Sequence, residues 1–457
     1  MQTNPAIFIG SILSIIFLLV ETEAHADDSV ILEGLQWDSP IPRFRELGIE
    51  PVSLHQLAEQ KIVVLAHSER SLNVSFGDDR KSFDKARIIS AMTVIDAPVD
   101  KVKAVVSDYK NYTNVMPRTE KATIIKTFEK HQWVEYLLVF KLPAWAIKIK
   151  YLFRYTQEDN GDISVQLLDG GGEAGAGRWE FIPLSGNKTL LVFSNWNDFE
   201  NSGFFFRAVI KSQADFKTIV PVVSTTIAVE AIKKQFAQTS LPHIPQVQNR
   251  VAPNSKKKLP KVPDYNESEE AAMSALANFG MVFVLHPAAE FSAANKPVKV
   301  EYVSVIKKVN AGKSDISKLV TNFDGYSDLI SQIENIGYRK TNKGFETDWY
   351  LKLKLGPLVL PMQYSMDYVW LNEDCLYFYL TEGDLESIYG VLKWNSLGSE
   401  GLPSLFRYTL AVSVGDNLPL ALKILNKIPR QSLLSGIFMG TVLVENQSRW
   451  LEEQVLY

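Results

Sequence analysis

Cysteine is almost missing from this chain: among 457 residues there is one, Cys375. No disulfide can form within the chain, and zinc sites built on cysteine pairs are excluded. Histidine is nearly as scarce. The six are scattered, with no His-Glu-x-x-His pattern and no close pair, so no metal centre is expected. An excess of positive charge is lacking too. There are 48 Lys and Arg against 52 Asp and Glu, for a net charge of −4, so no nucleic-acid partner is expected. No Gly-x-Ser-x-Gly elbow occurs and no histidine lies near Cys375 in sequence, so a nucleophilic triad is unsupported. Gly170, Gly172 and Gly175 satisfy Gly-x-Gly-x-x-Gly, but the segment after them, Arg178-Trp179-Glu180-Phe181, reads as a strand. A dinucleotide site needs a helix there, so no cofactor is expected. Asp108 stands beside a helix end, where capping a turn is its simplest role.

Long hydrophobic runs are also few. The one from Ala6 to Val20 covers about 15 residues, where a spanning helix needs roughly 20. Ala24-His25-Ala26, a small-x-small pattern, follows it, and then Asp27-Asp28. Residues 1–26 are therefore similar to a secretory signal peptide, although no Lys or Arg precedes the apolar run. A short uncleaved anchor is the alternative. The expected location is periplasmic or secreted. Residues 27–49 form a lead-in. Pro242, Pro245, Pro253, Pro260 and Pro263, with Lys256, Lys257 and Lys258, mark residues 241–267 as an extended, solvated linker. Two domains are left, 50–240 and 268–457. A composition 46% hydrophobic and 22% charged is ordinary for such globular units.

The two halves superimpose as sequences. Ala97 and Ala311, Tyr112 and Tyr326, and Pro143 and Pro357 all stand at one and the same separation. Tyr151 and Tyr364 are one position closer, and Val229-Glu230 and Val444-Glu445 one position further apart. Leu57-Ala58 with Leu276-Ala277, and His67 with His286, share a slightly longer spacing. A nearly constant offset means two copies of one domain. In the first copy, strands are expected over 61–67 and 86–95, then a helix capped by Asp96 with Pro98 in its early turn. A turn-rich connection spans 108–117. Strands follow at 131–141, 147–156, 162–169, 177–184 and 188–196. A helix over 205–238, interrupted at Pro221, closes the copy, and one over 430–454 closes the second.

Ala97-Pro98, Asp108-Tyr109-Lys110-Asn111-Tyr112 and Met116-Pro117 together resemble the signature of the START-like (SRPBCC) superfamily, in its polyketide cyclase/dehydrase and coenzyme Q-binding branch. The second copy departs from it at Gly312, Asn322 and Ile330-Ser331. The resemblance implies an α+β fold of two tandem helix-grip domains, each a curved antiparallel sheet around its long C-terminal helix. It also implies a cavity between sheet and helix that takes lipids, sterols, quinones or polyketides.

The residues themselves point to the same place. In the first copy Ile147, Ile149, Tyr151, Phe153 and Tyr155 share one strand face. In the second, Met362, Tyr364, Met366, Tyr368 and Trp370 do so, beside Leu351, Leu353 and Leu355. Either core side chains or a ligand cover these faces. The strand before Ile147 is apolar on both sides, Tyr136 and Leu138 on one and Leu137 and Val139 on the other, as if the domains touched there. Shared register would set Glu135 level with Trp349, where it could be a polar handle inside, but an exposed charge at the strand's end is favoured. On the closing helices Val222, Thr226 and Val229 form one row, and Leu433, Gly436, Gly440 and Val444 another. The glycines either open space for a ligand or let the helix approach the sheet; space is favoured. Phe204, Phe205 and Phe206 suit a peripheral membrane contact. The expected function is binding or transfer of an apolar small molecule or lipid, rather than catalysis. The alternatives are a cyclase or dehydratase acting on polyketide-like substrates, or an interaction scaffold.

Overall fold

The structure, a computed structural model, describes residues 39–76, 79–141, 146–170, 174–198, 215–237, 249–251, 258–293, 296–355, 358–398, 402–413 and 431–454. Residues 1–26 and the Phe204-Phe205-Phe206 run lie outside the described residues.

The first half opens with helix α1 (Pro51–Ala58), then strands β1 (Ile62–His67), β2 (Arg70–Phe76), β3 (Asp79–Ala86) and β4 (Ile89–Ile95). Helix α2 (Val99–Ser107), a tight turn at Tyr109–Asn111 and the single turn α3 (Tyr112–Val115) lead into the main strands. These are β5 (Thr119–Phe128), β6 (His131–Lys141), β7 (Ala146–Gln157), β8 (Ile163–Asp169), β9 (Gly175–Leu184) and β10 (Lys188–Asn197), and α4 (Phe216–Lys234) closes the half. Two short strands, β11 (Asn249–Val251) and β12 (Lys258–Pro260), come between the halves. The order then repeats: α5 (Glu267–Ala277), β13 (Gly280–Leu285), β14 (Ala289–Ala293), β15 (Lys296–Val300), β16 (Val303–Val309), α6 (Lys313–Thr321) and α7 (Tyr326–Leu329). Strands β17 (Ile333–Lys340), β18 (Gly344–Leu355), β19 (Leu358–Asn372), β20 (Cys375–Gly383), β21 (Ser387–Ser396) and β22 (Ser404–Ser413) precede α8 (Gln431–Gln454).

The duplication is therefore a property of the fold: two α+β helix-grip domains in tandem. They are not two separate sheets. Among the described residues, sixteen strands join into one antiparallel sheet, with β1 of the first domain paired to β13 of the second. At the middle of that pairing Val64 faces Phe283, flanked by Val63 with Val284 and Leu65 with Val282. Val64 is as far from Phe283 in sequence as His67 is from His286, so each strand meets its own repeat about a local two-fold axis. The chemistry permits it because β1 is buried along its whole length and β13 along all but its first residue. A strand apolar on both faces must be flanked by strands and covered on both sides. The sheet then ends at β5 and β17, whose exposed Glu120, Lys121, Glu334, Arg339 and Lys340 and backbone bulges make poor templates for another strand.

Helices cover both faces of this centre. On one, called inner here, α4 lies on β1, β4 and β10 while α8 lies on β16 and β22, and Phe216 meets Phe438 at 5.6 Å between them. On the outer face α1 and α5 pack together over Val63, Leu65, Met92, Val282, Val284 and Ile306. Arg87 Nη1 reaches Glu445 at 2.9 Å and Lys61 pairs with Glu269, so charge as well as apolar packing crosses the join.

Four expectations are corrected. Asp96 does not cap α2: Pro98 holds the N-cap position without a side-chain bond, and Asp96 is exposed. The end of the linker is not solvated. Leu259, Val262 and Tyr265 are buried against the outer face of the second domain. Ile41 and Phe44, which precede Val262 and Tyr265 by one common separation, do the same for the first. The lead-in is thus a repeated strap, held by Arg45 on buried Glu180 at 3.0 Å and on Asp162 at 2.6 Å. The domains touch at β1 and β13, not at β6. Finally, Pro221 does not break its helix within 216–234: its carbonyl is taken by the Thr225 hydroxyl at 2.7 Å.

Candidate ligand-binding site

The inner face is where the aromatic residues gather, and strand alternation explains which ones. On β6 the inward row is Val134, Tyr136 and Leu138, because these stand opposite Phe153, Tyr151 and Ile149 of β7. Leu137 and Val139 therefore point outward. Glu135 does too, 3.8 Å from Lys121, so it is not level with Trp349 and is the outward strand charge expected of it. The cause is a register difference. Tyr136 pairs with Tyr151 as Trp349 pairs with Tyr364, so the two copies of this strand lie one position closer in sequence than Ala97 and Ala311.

In the first domain the turn after α2 lowers two tyrosines onto this row. Tyr109 stacks on Tyr155 with ring centroids 4.0 Å apart, and Tyr112 stacks on Tyr136 at 5.7 Å. Phe153 lies 6.0 Å from Tyr136 and 5.6 Å from Tyr151. Each such pair adds roughly 0.5–1.5 kcal/mol beyond its burial. Tyr112 also donates to the Val106 carbonyl at 2.7 Å, pinning the Asp-Tyr-x-x-Tyr turn to its helix. Tyr326 repeats that bond to Val320 at 3.1 Å, so this tyrosine is structural in both copies. Burial raises the pKa of Tyr109, Tyr112, Tyr136 and Tyr155, so all four hydroxyls stay protonated across the physiological range.

Of the residues picked out as ligand-lining, Tyr155, Val222, Thr226 and Val229 are buried in the first domain. Ile149, Tyr151 and Phe153 are only half-buried although they share the inward face of β7. In the second domain Tyr364, Met366 and Val444 are buried and Met362 and Tyr368 half-buried. Leu353 stands opposite Leu360 in register, and its side chain lies outside the described residues. Among the described residues the row Ile149, Tyr151 and Phe153 thus faces the helix side of the sheet and keeps partial exposure.

Gly436 and Gly440 do not open space. A Cβ on Gly440 would lie 2.6 Å from Val305 Cγ2, and one on Gly436 would lie 3.3 Å from Val303 Cγ2. The missing side chains bring α8 down onto β16. Glu445 is not simply solvent-facing either, since it holds Arg87 of the other domain.

One polar feature escapes sequence reasoning. His67 shares a bond of 2.8 Å with Ser90, which bonds Ser194 at 2.7 Å. The second domain repeats the chain: His286 with Ser304 at 3.2 Å, and Ser304 with Thr409 at 2.7 Å. Tyr265 of the strap closes it, 2.8 Å from His286. Burial lowers the two imidazole pKa values to about 4 and about 3, so both are neutral braces on the outer face. The matched offset of the two histidines is the one signal that could have found them. A shallow depression of about 380 Å³, lined by Arg339, Glu346, Asp348, Asp367 and Glu382 among others, lies on the outer side of the second domain, away from the aromatic rows.

Residues 95–216 match the model of a family described as polyketide cyclase/dehydrase and lipid transport. Similar solved structures include the di-domain ARO/CYC StfQ from the steffimycin biosynthetic pathway, at 13% identity, 80% coverage of this chain, 99% of that chain and a TM-score of 0.26. A STAR-related lipid transfer protein from Xanthomonas axonopodis is 14% identical, with 38% and 96% coverage and a TM-score of 0.26. A START superfamily protein from Mycobacterium smegmatis is 13% identical, with 33% and 96% coverage and a TM-score of 0.27. No curated protein matches the chain. The matched span contains the Ala-Pro, Asp-Tyr-x-x-Tyr and Met-Pro motifs and strands β5 to β10. Through it this part of the chain is similar to the family of polyketide cyclases/dehydrases and lipid-transport proteins, and the second half of the chain repeats the same order of elements.

Proposed function

We propose that this protein binds and transfers an apolar molecule, of lipid, sterol or quinone type, on the inner face of its sheet, and does so outside the cytoplasm. The observation that carries the reading is the inward row Ile149, Tyr151 and Phe153, half-exposed on the helix side of the sheet. Around it stand aliphatic side chains and tyrosines whose hydroxyls burial keeps protonated. Such a surface holds a ligand by area and orients it by a few neutral hydrogen bonds. Among the described residues no acid and base of separated pKa stand together on it, as a cyclase or dehydratase would need. The family match over residues 95–216 agrees with ligand holding in general terms. Export rests on the leader-like residues 1–26.

Native mass spectrometry of the chain purified from its own envelope fraction tests the reading. A bound apolar molecule, released by organic extraction, is the expected result. Protein that neither carries such a molecule nor takes up Nile red in titration would end the proposal. Intact mass of the same sample gives the mature start, expected at Asp27.

A further inference from the structure

The two inner faces differ in how their polar groups are satisfied. In the second domain they close on one another. Gln447 of α8 donates to the Tyr326 hydroxyl at 2.7 Å and accepts from the Tyr408 hydroxyl at 3.0 Å. Trp349 donates its indole N–H to Thr347 at 2.9 Å, and Thr441 returns its hydroxyl to the Ile437 carbonyl at 2.6 Å. Among the described residues one inward group there, the Trp394 indole N–H, is unpartnered, and Trp394 packs edge-on against the ring of Trp370.

The first domain is braced differently: Asn195 donates to Thr225 of α4 at 3.2 Å and Lys233 of α4 donates to Thr93 at 2.8 Å, and the Gln447 bonds have no counterpart. Ile232 and Phe193 stand where the second has Gln447 and Tyr408, at the same offset as Val229 and Val444. Tyr136 takes the place of Trp349, and Thr226 that of Thr441. Tyr136 is 4% exposed and Thr226 is 1% exposed, and neither hydroxyl has a hydrogen-bond partner among the described residues. Burial, and then Tyr155 beside it, raise the pKa of Tyr136. A buried hydroxyl left unmatched is costly, and native proteins keep few of them without a reason. Here two occur on the inner side of the first domain, one on β6 opposite Tyr151 and one on α4.

Resting on the binding function proposed above, we infer that the first domain is the ligand-holding copy, that Tyr136 and Thr226 hydrogen-bond an uncharged oxygen of the ligand, and that the second domain is a closed, supporting copy. The ligand class is an apolar molecule with a carbonyl or hydroxyl oxygen, as in a quinone or a sterol. A fatty-acid anion is disfavoured, because both handles are neutral and neither offers a compensating charge.

The test uses the full mature chain. Menadione serves as the neutral two-oxygen probe and dodecanoate as the anionic one, both read by quenching of protein fluorescence. Tyr136→Phe and Thr226→Val each remove one oxygen and change little else. Each is expected to weaken menadione about tenfold, the net worth of one buried hydrogen bond, without lowering the melting temperature. Gln447→Leu is expected to lower the melting temperature and leave menadione affinity within twofold. Wild-type protein should bind dodecanoate at least tenfold more weakly than menadione. Unchanged menadione affinity in the Tyr136→Phe, Thr226→Val double variant would overturn the inference, as would loss of affinity through Gln447→Leu alone or tighter binding of dodecanoate. A chain that takes up Nile red but fails these comparisons refutes the division of labour and leaves the binding function standing. One that takes up none of the probes refutes both.

Discussion

Helices α4 and α8 hold equivalent places, yet they turn different surfaces to the sheet. Where α4 has Pro221 and Thr225, α8 has Gly436 and Gly440, so α8 settles directly on Val303 and Val305. Where α4 has Ile232, α8 has Gln447, tied to Tyr326 and Tyr408. The second domain is thus closed by short approach and by hydrogen bonds. In the first, Thr225 and Lys233 tie the helix to Asn195 of β10 and Thr93 of β4, and Ile149, Tyr151 and Phe153 beyond it stay half-buried. One backbone plan supports two differently braced interiors, and a handful of side chains decides which.

The join is the place to break that contrast first. Phe283→Asp sets an unpaired charge at a fully buried point of the β1–β13 pairing. A loss of about 3–5 kcal/mol is expected, with single-step urea unfolding splitting into two transitions. Retention of one transition at an unchanged midpoint would show that the domains do not depend on the join.

Acid should come next in size. Unfolded imidazoles take up a proton near pH 6.5, whereas folded His67 and His286 do so only near 4 and near 3. Their contribution is complete above pH 6.5 and is lost as pH falls from there toward those values, about 3 kcal/mol for His67 and about 5 kcal/mol for His286. His286, sealed by Tyr265, should go on losing stability below the pH at which His67 has finished. Urea midpoints between pH 7 and 4.5 should fall in the native chain and fall less steeply in His67→Gln; parallel lines would contradict the assignment.

Gly440→Leu should cost about 1–3 kcal/mol by forcing α8 off β16, read as a lower urea midpoint. An unchanged midpoint would mean that α8 does not rest on β16. Gln447→Leu is the mildest, at about 1–2 kcal/mol, because Tyr326 keeps its bond to Val320 and only Tyr408 is stranded. Thermal melts of the variant against wild type decide it.

Much of this arrangement is legible in the sequence. The repeated tyrosines and the His67–His286 offset reveal the duplication, and strands β6 to β10 follow from apolar alternation and turn residues. Strand β5, with its charged and mostly exposed residues, carries no such pattern, because a sheet edge needs none. The strap is hidden for another reason. Five prolines and a lysine run read as solvated chain, while Leu259, Val262 and Tyr265, spaced three apart, anchor it. The match of Glu135 with Trp349 fails because one residue of register turns a whole strand over. The meeting of β1 with β13 is signalled only weakly, by Ile62-Val63-Val64-Leu65-Ala66, a run too apolar for a strand with one wet side. The orphan hydroxyls of Tyr136 and Thr226 have no sequence signature, since being unpartnered depends on every neighbour.

A strand that meets its own counterpart residue for residue is what an isologous dimer of a one-domain ancestor would present. Gene fusion of such a dimer would keep the seam and add only the connecting chain. The first domain expressed alone would bare the flank of Ile62–His67 once more. With no β13 to receive it, that flank would recruit a sister molecule, and the half-protein should sediment as a pair.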